Sequence, residues 1–285
     1  MTAREVFRLK LRSRTLVLGE RTLVMGVLNV TPDSFSDGGK FFTLAKAVEA
    51  AFAMEKAGAD ILDIGAESTR PGSSGISAAE EIGRLLPVLE ALGGRLKIPI
   101  SIDTQKAAVA EVAVGAGAEI LNDISGLKSD PRVAEIAAGH KVPLILMHMR
   151  GTPETMQNNV HYDSLFSEIL QYLKESVGRA EAAGLDPEQI IVDPGIGFGK
   201  TVEDNLLIIR NLQEFRVLGK PLLLGTSRKS FIGKILSTEV TERLEGTLAS
   251  IAIGVLNGAH IIRCHDVLQA KRAITIADAI RLAGT

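Results

Sequence analysis

The sequence predicts a (β/α)8 TIM barrel with an N-terminal β-hairpin, read as one domain over 1–285 with 1–24 as the hairpin extension. Three observations point there. Eight short runs rich in aliphatic and β-branched residues alternate with longer segments of helical period, the pattern of repeated βα units. A weak repeat supports the rhythm: GADILDI (58–64), GAEILND (117–123) and GAHIIRC (258–264) each give a helix-ending glycine, a small residue and a strand. The first strand of the series runs into Asn29-Val30-Thr31-Pro32, where an open doubly wound sheet would carry a Gly-rich dinucleotide fingerprint.

In chain order, residues 6–24 alternate and contain Gly19-Glu20, so they read as a hairpin ahead of the barrel. Strands are expected near 25–29, 60–64, 98–102, 119–122, 142–147, 190–193, 221–224 and 260–263. A helix over 44–57 gathers Leu44, Val48 and Phe52 on one face, and one over 164–182 gathers Leu165, Ile169 and Leu173. Gly58 and Gly184 stand where a helix C-cap glycine belongs. No linker or low-complexity segment divides the chain.

Composition excludes several function classes. A net charge of −2 argues against nucleic acid or an anionic membrane surface as partner. No run of about 18 apolar residues could span a bilayer. The first residues show no secretion leader, and the single cysteine, Cys264, rules out an internal disulfide; a cytoplasmic protein is expected. Five scattered histidines give no zinc spacing.

In such a barrel the chemistry sits at the C-terminal strand ends. These ends carry Asn29; Glu67, Thr69 and Arg70; Asp103; Asn122 and Asp123; Met147 and His148; Asp193 and Lys200; Ser227, Arg228, Lys229 and Ser230; Arg263 and His265. Strands must end in water, so some polarity is expected, but not carboxylates, carboxamides, two arginines and a lysine on one rim. Asp103, Asn122 and Asp193 suit a flat, nitrogen-rich heterocycle with an NH and NH2 edge. Arg70, Lys229, Arg263 and His265 suit a phosphate or diphosphate. A metal held by Asp103, Asp193 and Asn29 alone is a weaker reading, because Mg²⁺ usually takes one or two protein groups plus substrate phosphates.

Two patterns mislead. GIGFGKT (195–201) has three residues between Gly195 and Gly199 where the Walker loop needs four. Ser227 and His265 could pass for a nucleophile pair, but neither lies in a Gly-x-Ser-x-Gly elbow. The long polar segment 30–39, ending in Gly38-Gly39 with Phe35 in its middle, exceeds a simple turn and reads as a ligand loop.

Together NVTPDSFSDGG, GAESTRPGS, SIDT, LNDISG, LMHMRGTPETMQ, DPGIGFGK, TSRKSFIG and RCHD, in this order, resemble the dihydropteroate synthase family over nearly the whole chain after the hairpin. The resemblance implies a barrel enzyme, usually a homodimer. It would condense 4-aminobenzoate with 6-hydroxymethyl-7,8-dihydropterin diphosphate to 7,8-dihydropteroate and diphosphate, usually with Mg²⁺, in folate biosynthesis.

It also implies roles. Asp103, Asn122 and Asp193 would bind the pterin nitrogens and Lys229 its carbonyl oxygen. Met147 and Phe198 would shape the slot, with Arg263 stacked on the ring. Asn29 would ligate Mg²⁺. Asn29, Thr69, Arg70, Arg263 and His265 would hold the diphosphate. Phe35, Asp37, Thr69, Pro71, Phe198 and Ser230 would form the 4-aminobenzoate pocket, which sulfonamides would share, the first four of them on mobile loops 30–39 and 66–76. The expected path is dissociative, with Asp103 stabilising the developing cation. Asp103, Lys229, Arg70, Arg263 and His265 form the catalytic set. The alternatives are a pterin-dependent methyltransferase and a non-catalytic pterin-binding protein.

Overall fold

The computed structural model describes residues 4–31, 44–70 and 72–284. Phe35, Asp37 and Pro71, with the expected loop 30–39 beyond Thr31, lie outside the described residues. The chain opens with an antiparallel hairpin, β1 (Phe7–Lys10) and β2 (Thr15–Leu18), paired from Phe7↔Leu18 to Lys10↔Thr15. Its turn spans 11–14, closed by Leu11 N–H donating to the Arg14 carbonyl at 2.7 Å. The glycine signal at Gly19-Glu20 therefore marks the exit from the hairpin, not its turn. Leu23 and Val24, expected in the hairpin, already belong to the first barrel strand.

Eight parallel strands follow: β3 (Leu23–Asn29), β4 (Ile61–Gly65), β5 (Ile100–Asp103), β6 (Ile120–Asp123), β7 (Leu144–Met147), β8 (Ile190–Asp193), β9 (Leu223–Leu224) and β10 (Ile261–Cys264). They lie in the order β8-β7-β6-β5-β4-β3-β10-β9. A parallel bridge between Val192 and Leu222, with Val192 N–H donating to the Pro221 carbonyl at 3.0 Å, joins β8 to β9 and closes the barrel. Helices return between strands: α1 (Leu44–Lys56), α2 (Ala78–Leu92), α3 (Ala107–Gly115), α4 (Arg132–His140), α5 (Leu165–Ala182), α6 (Val202–Arg210), α7 (Ser230–Leu236), α8 (Leu244–Leu256) and α9 (Val267–Leu282). No described helix is long and apolar enough to cross a membrane.

Side chains alternate along a strand, and here the alternation separates two cores. One set, including Val24, Leu28, Leu62, Ile64, Ile102, Leu121, Leu144, Leu146, Ile190, Val192 and Ile262, packs beneath the helices. The other set, Met25, Ile61, Ile120, Ile145, Ile191, Leu223 and Ile261, fills the lower barrel interior together with hairpin residues Leu9, Leu11 and Leu18. The hairpin is thus a plug for the N-terminal end. Two residues further along most of these strands, the inward positions turn polar: Asp63, Asn122, Asp193 and Arg263 stand above Ile61, Ile120, Ile191 and Ile261. A period of two converts an apolar floor into a polar ceiling within one step of each strand.

Candidate active site

Strand register sets the upper rung. Asn29 pairs with Gly65, Gly65 with Asp103, and Asp103 with Asn122; Met147 pairs with Asp193. Asp103, Asn122 and Asp193 are buried, at 8%, 4% and 6% exposure, so a ligand meeting them would leave water almost entirely. Arg263 spans the centre. Its Nε donates to Asp63 Oδ2 at 2.7 Å and its Nη2 to Asp103 Oδ2 at 2.6 Å. Asn122 Nδ2 donates to the same Asp63 oxygen at 3.3 Å.

Gly65 keeps the space between Asn29 and Asp103 open. A Cβ there would come within 3.7 Å of Asp103 Oδ2 and 3.8 Å of Asn29 Oδ1. Two hard oxygen donors therefore border one small cradle. Among the described residues no group of three or more His, Cys, Asp or Glu could hold a metal by itself.

The far wall is built by the turn after β8. Asp193 Oδ1 accepts the Gly195 N–H at 2.7 Å, which fixes the carboxylate. Gly195 has φ +72, and a Cβ would fall 1.9 Å from the His148 carbonyl, so only glycine fits. Phe198 and Met147 join Ile124, Met149 and Met156 in a small apolar cluster beside the polar rung. Lys229, the residue before α7, places Nζ 4.0 Å from the centre of the Phe198 ring. Ser230 is the first residue of α7 and is exposed. Thr201 and Asp204 form a capping box that starts α6. The preceding Lys200 is thereby held inside, with Nζ 2.9 Å from His148 Nδ1 and 3.1 Å from the Phe198 carbonyl.

On the opposite side Ser227 Oγ lies 3.0 Å from His265 Nδ1 and accepts the His265 backbone N–H at 3.2 Å. Thr69 is half-buried and Arg70 exposed, on the loop that leaves β4. That loop is tied down by Gly72 N–H donating to the Pro153 carbonyl at 3.0 Å, and by Lys106, which bridges Glu67 at 3.0 Å and the buried Glu81 at 2.6 Å. Asp123 faces away from the barrel interior; its carboxylate accepts the Ser125 N–H at 2.7 Å and the Leu127 N–H at 2.8 Å and serves the turn.

Burial dominates the electrostatics. It raises Asp103 to about 7, with Arg263 opposing and Asp63 adding to the rise. It raises Asp193 too, the Gly195 N–H partly offsetting it. Lys229 is lowered to about 8, by burial and then by Arg263, and Lys200 to about 7, by burial. His265 falls to about 4 through burial and the charge of Arg263, so it is neutral at physiological pH. Burial pulls Arg263 down, but Asp63 and Asp103 outweigh it and hold the guanidinium above its ordinary range. The result is a water-poor chamber in which buried acceptors and cations lie beside an apolar wall, with Arg263 bonded directly to Asp63 and Asp103.

A separate cleft of about 500 Å³ lies at the opposite end, lined by Thr15, Leu16, Leu23, Asp60, Ile98 and Pro99 among others. Of its two carboxylates, Glu20 and Asp60, the latter is already held by both Arg21 Nη atoms at 2.6 and 2.9 Å.

Sequence reasoning missed Asp63, which sits in an apolar run and reads as core. The signal was its parity: two residues above the inward Ile61, it had to face the interior. Lys200 was noted at its strand end, but its burial against His148 was not.

The family model of pterin binding enzymes matches residues 25–265. The dihydropteroate synthase of Synechocystis sp. is 51% identical over 263 residues, covering 92% of this chain and 91% of that protein. The Yersinia pestis dihydropteroate synthase, in a complex with a sulfonamide drug, superposes with a TM-score of 0.92 at 43% identity, covering 97% of this chain and 100% of that one. The Xanthomonas albilineans dihydropteroate synthase with 4-aminobenzoic acid superposes with a TM-score of 0.91 at 39% identity, covering 98% and 100%. With both sequence and fold shared over nine-tenths of its length, the chain belongs to the pterin-binding enzyme family, in its dihydropteroate synthase group.

Proposed function

We propose that the polar ceiling of the barrel binds the pterin of 6-hydroxymethyl-7,8-dihydropterin diphosphate, and that the rim above it presents 4-aminobenzoate for condensation to 7,8-dihydropteroate and diphosphate. The observation that carries this reading is the buried acceptor row Asp103–Asn122–Asp193, with Arg263 bonded to Asp103 at 2.6 Å and Lys229 set over the Phe198 ring beside it. The acceptors match the NH and NH2 edge of a pterin, and Lys229 matches its carbonyl. Arg263, with Arg70, Thr69 and His265, would hold the leaving diphosphate. Neutral His265 serves as a hydrogen-bond donor.

The residues favour a dissociative order. The C–O bond to diphosphate breaks as cationic side chains take up the leaving charge, and the electron-rich dihydropterin spreads the positive charge left behind. Asp103 in its ionised form, which Arg263 favours and burial opposes, stabilises that charge. The arylamine nitrogen then forms the C–N bond. The neutral amine is a nucleophile without a base, and its proton leaves after attack.

The Gly65 cradle suits a hard cation shared with substrate oxygens, which fits Mg²⁺ held by Asn29 and the diphosphate. The metal would neutralise leaving-group charge. Exposed apolar side chains on α9, Leu268, Ile276 and Ile280, fall eight and then four residues apart along one side of the helix. They support assembly as a homodimer. The single, buried Cys264 supports a cytoplasmic setting.

Chromatography of a reaction containing both substrates tests this function. It is expected to show 7,8-dihydropteroate accumulating over many turnovers. A protein that binds the pterin diphosphate tightly but forms no product would be a pterin-binding protein and not a synthase.

A further inference from the structure

Asp63 has no role in the reading above, yet it stands under the centre of the site. It is fully buried. Its Oδ2 takes two hydrogen bonds, from Arg263 Nε at 2.7 Å and from Asn122 Nδ2 at 3.3 Å. Its Oδ1 is buried and has no hydrogen-bond partner among the described residues. Asp63 pairs with Val27 on one side and Ser101 on the other, and Ser101 pairs with Ile120. A residue serving packing alone would be apolar at this level, as Val27 and Ile120 are. A buried carboxylate with one oxygen unsatisfied is a costly filler.

The two carboxylates that share Arg263 differ in depth. Asp103 pairs with Gly65 and lies one step nearer the rim than Asp63. A ligand entering from the rim can claim the Asp103 oxygens but is screened from Asp63 by the guanidinium and the Asn122 carboxamide. The Arg263–Asp103 bond is therefore exchangeable, while the Arg263–Asp63 bond can persist through ligand binding.

We propose that Asp63 is a positioning residue: by holding Arg263 Nε and Asn122 Nδ2 from below, it keeps both aimed at the pterin diphosphate when Asp103 turns to the ligand. This rests on the pterin reading of the site. Asp63 itself touches no substrate. One carboxylate oxygen couples a residue for the ring edge to a residue for the leaving group, so the two halves of the substrate are registered against a common point.

Calorimetry with 6-hydroxymethyl-7,8-dihydropterin diphosphate tests this on Asp63→Asn, which keeps the shape and removes the charge. Affinity is expected to fall about 10- to 100-fold, the loss of a charge-assisted hydrogen bond. In an Arg263→Ala background the same substitution should change affinity by less than about threefold, because only the longer 3.3 Å bond from Asn122 is left for Asp63 to act through. Equal losses in both backgrounds, or unchanged affinity in folded Asp63→Asn, would overturn the proposal.

Should Asp63→Asn not fold, the unaltered enzyme decides the matter. The Arg263 Nε–H, followed by nitrogen-15 NMR, is expected to stay protected from solvent exchange with and without the pterin diphosphate. Loss of protection on ligand binding would overturn the proposal. Failure of the unaltered enzyme to bind the pterin diphosphate would instead sink the reading of the site.

Discussion

The Ser227 hydroxyl oxygen accepts the backbone N–H of His265 at 3.2 Å while lying 3.0 Å from Nδ1 of the same histidine. With that lone pair occupied, the hydroxyl hydrogen is free to point at Nδ1, which leaves Nε2 as the protonated nitrogen. A neutral histidine then offers one donor, directed away from Ser227. The pair that looks like a nucleophile and its base is, on this account, an anchored hydrogen-bond donor for diphosphate.

The first prediction follows. Ser227→Ala should raise KM for the pterin diphosphate about tenfold, the worth of one hydrogen bond to a charged group. Affinity for 6-hydroxymethylpterin, which lacks diphosphate, should not change. Steady-state kinetics beside calorimetry check this; a burst of a covalently bound pterin intermediate in the parent enzyme would restore the nucleophile reading.

Asp193 supplies a second. It is buried, fixed by the Gly195 N–H, and aimed at the ring edge of the proposed pterin. Asp193→Ala should weaken binding of a pterin analogue by about 2–4 kcal/mol, since the ring edge loses a charged partner and remains buried. Titration calorimetry showing parent-like affinity would remove Asp193 from the site.

Gly195 gives a third, on the backbone itself. Its φ of +72 and the 1.9 Å approach of a hypothetical Cβ to the His148 carbonyl leave no room for any side chain. Gly195→Ala should cost about 3 kcal/mol or more of stability. It should also weaken pterin binding, because the displaced N–H is the one that fixes Asp193. Denaturant melts and pterin titrations report the two effects; a melt within error of the parent would mean the turn has a conformation that accepts alanine.

Much of the fold was legible before the structure because a barrel repeats one local rule. Glycine ends the helix, a short aliphatic strand follows, and polar residues sit at its C-terminal end; Asp103, Asn122 and Asp193 each obey it. What escaped depends on contacts between distant segments. Gly19-Glu20 carries the strongest local turn signal in the first segment, yet the hairpin turns at 11–14, because Leu9, Leu11 and Leu18 must all face the barrel floor. Asp63 hid within an aliphatic run because its partners, Arg263 and Asn122, lie on two other strands. Lys200 drew notice as part of a glycine-rich loop, but only the packed turn after β8 reveals that it is buried against His148.

That buried pair supports a fourth prediction, on pH. Burial lowers Lys200 to about 7, below the ordinary lysine value. Between about pH 7 and about pH 10 the unfolded chain holds this proton more tightly than the folded one, so this group makes stability rise with pH across that window. Lys200→Met removes the linkage and leaves His148 Nδ1 and the Phe198 carbonyl without their donor. The stability gap between parent and variant should widen by about 1 kcal/mol per pH unit from pH 7 to pH 9.5. Guanidinium melts at the two pH values measure it; a constant or narrowing gap would place a normal, solvated ammonium at Lys200.

On the proposed reading, one buried chamber binds the pterin diphosphate and exchanges its diphosphate for an arylamine. Diphosphate release measured with each substrate alone and with both together tests it most directly. Sustained release is expected only when both are present, one diphosphate per 7,8-dihydropteroate, and none with 4-aminobenzoate alone. With the pterin diphosphate alone, release should be slow and yield the hydroxymethyl pterin, as water captures the cation. Release at the same rate with and without 4-aminobenzoate, or no release with both, would mean that the chamber does not carry out this exchange.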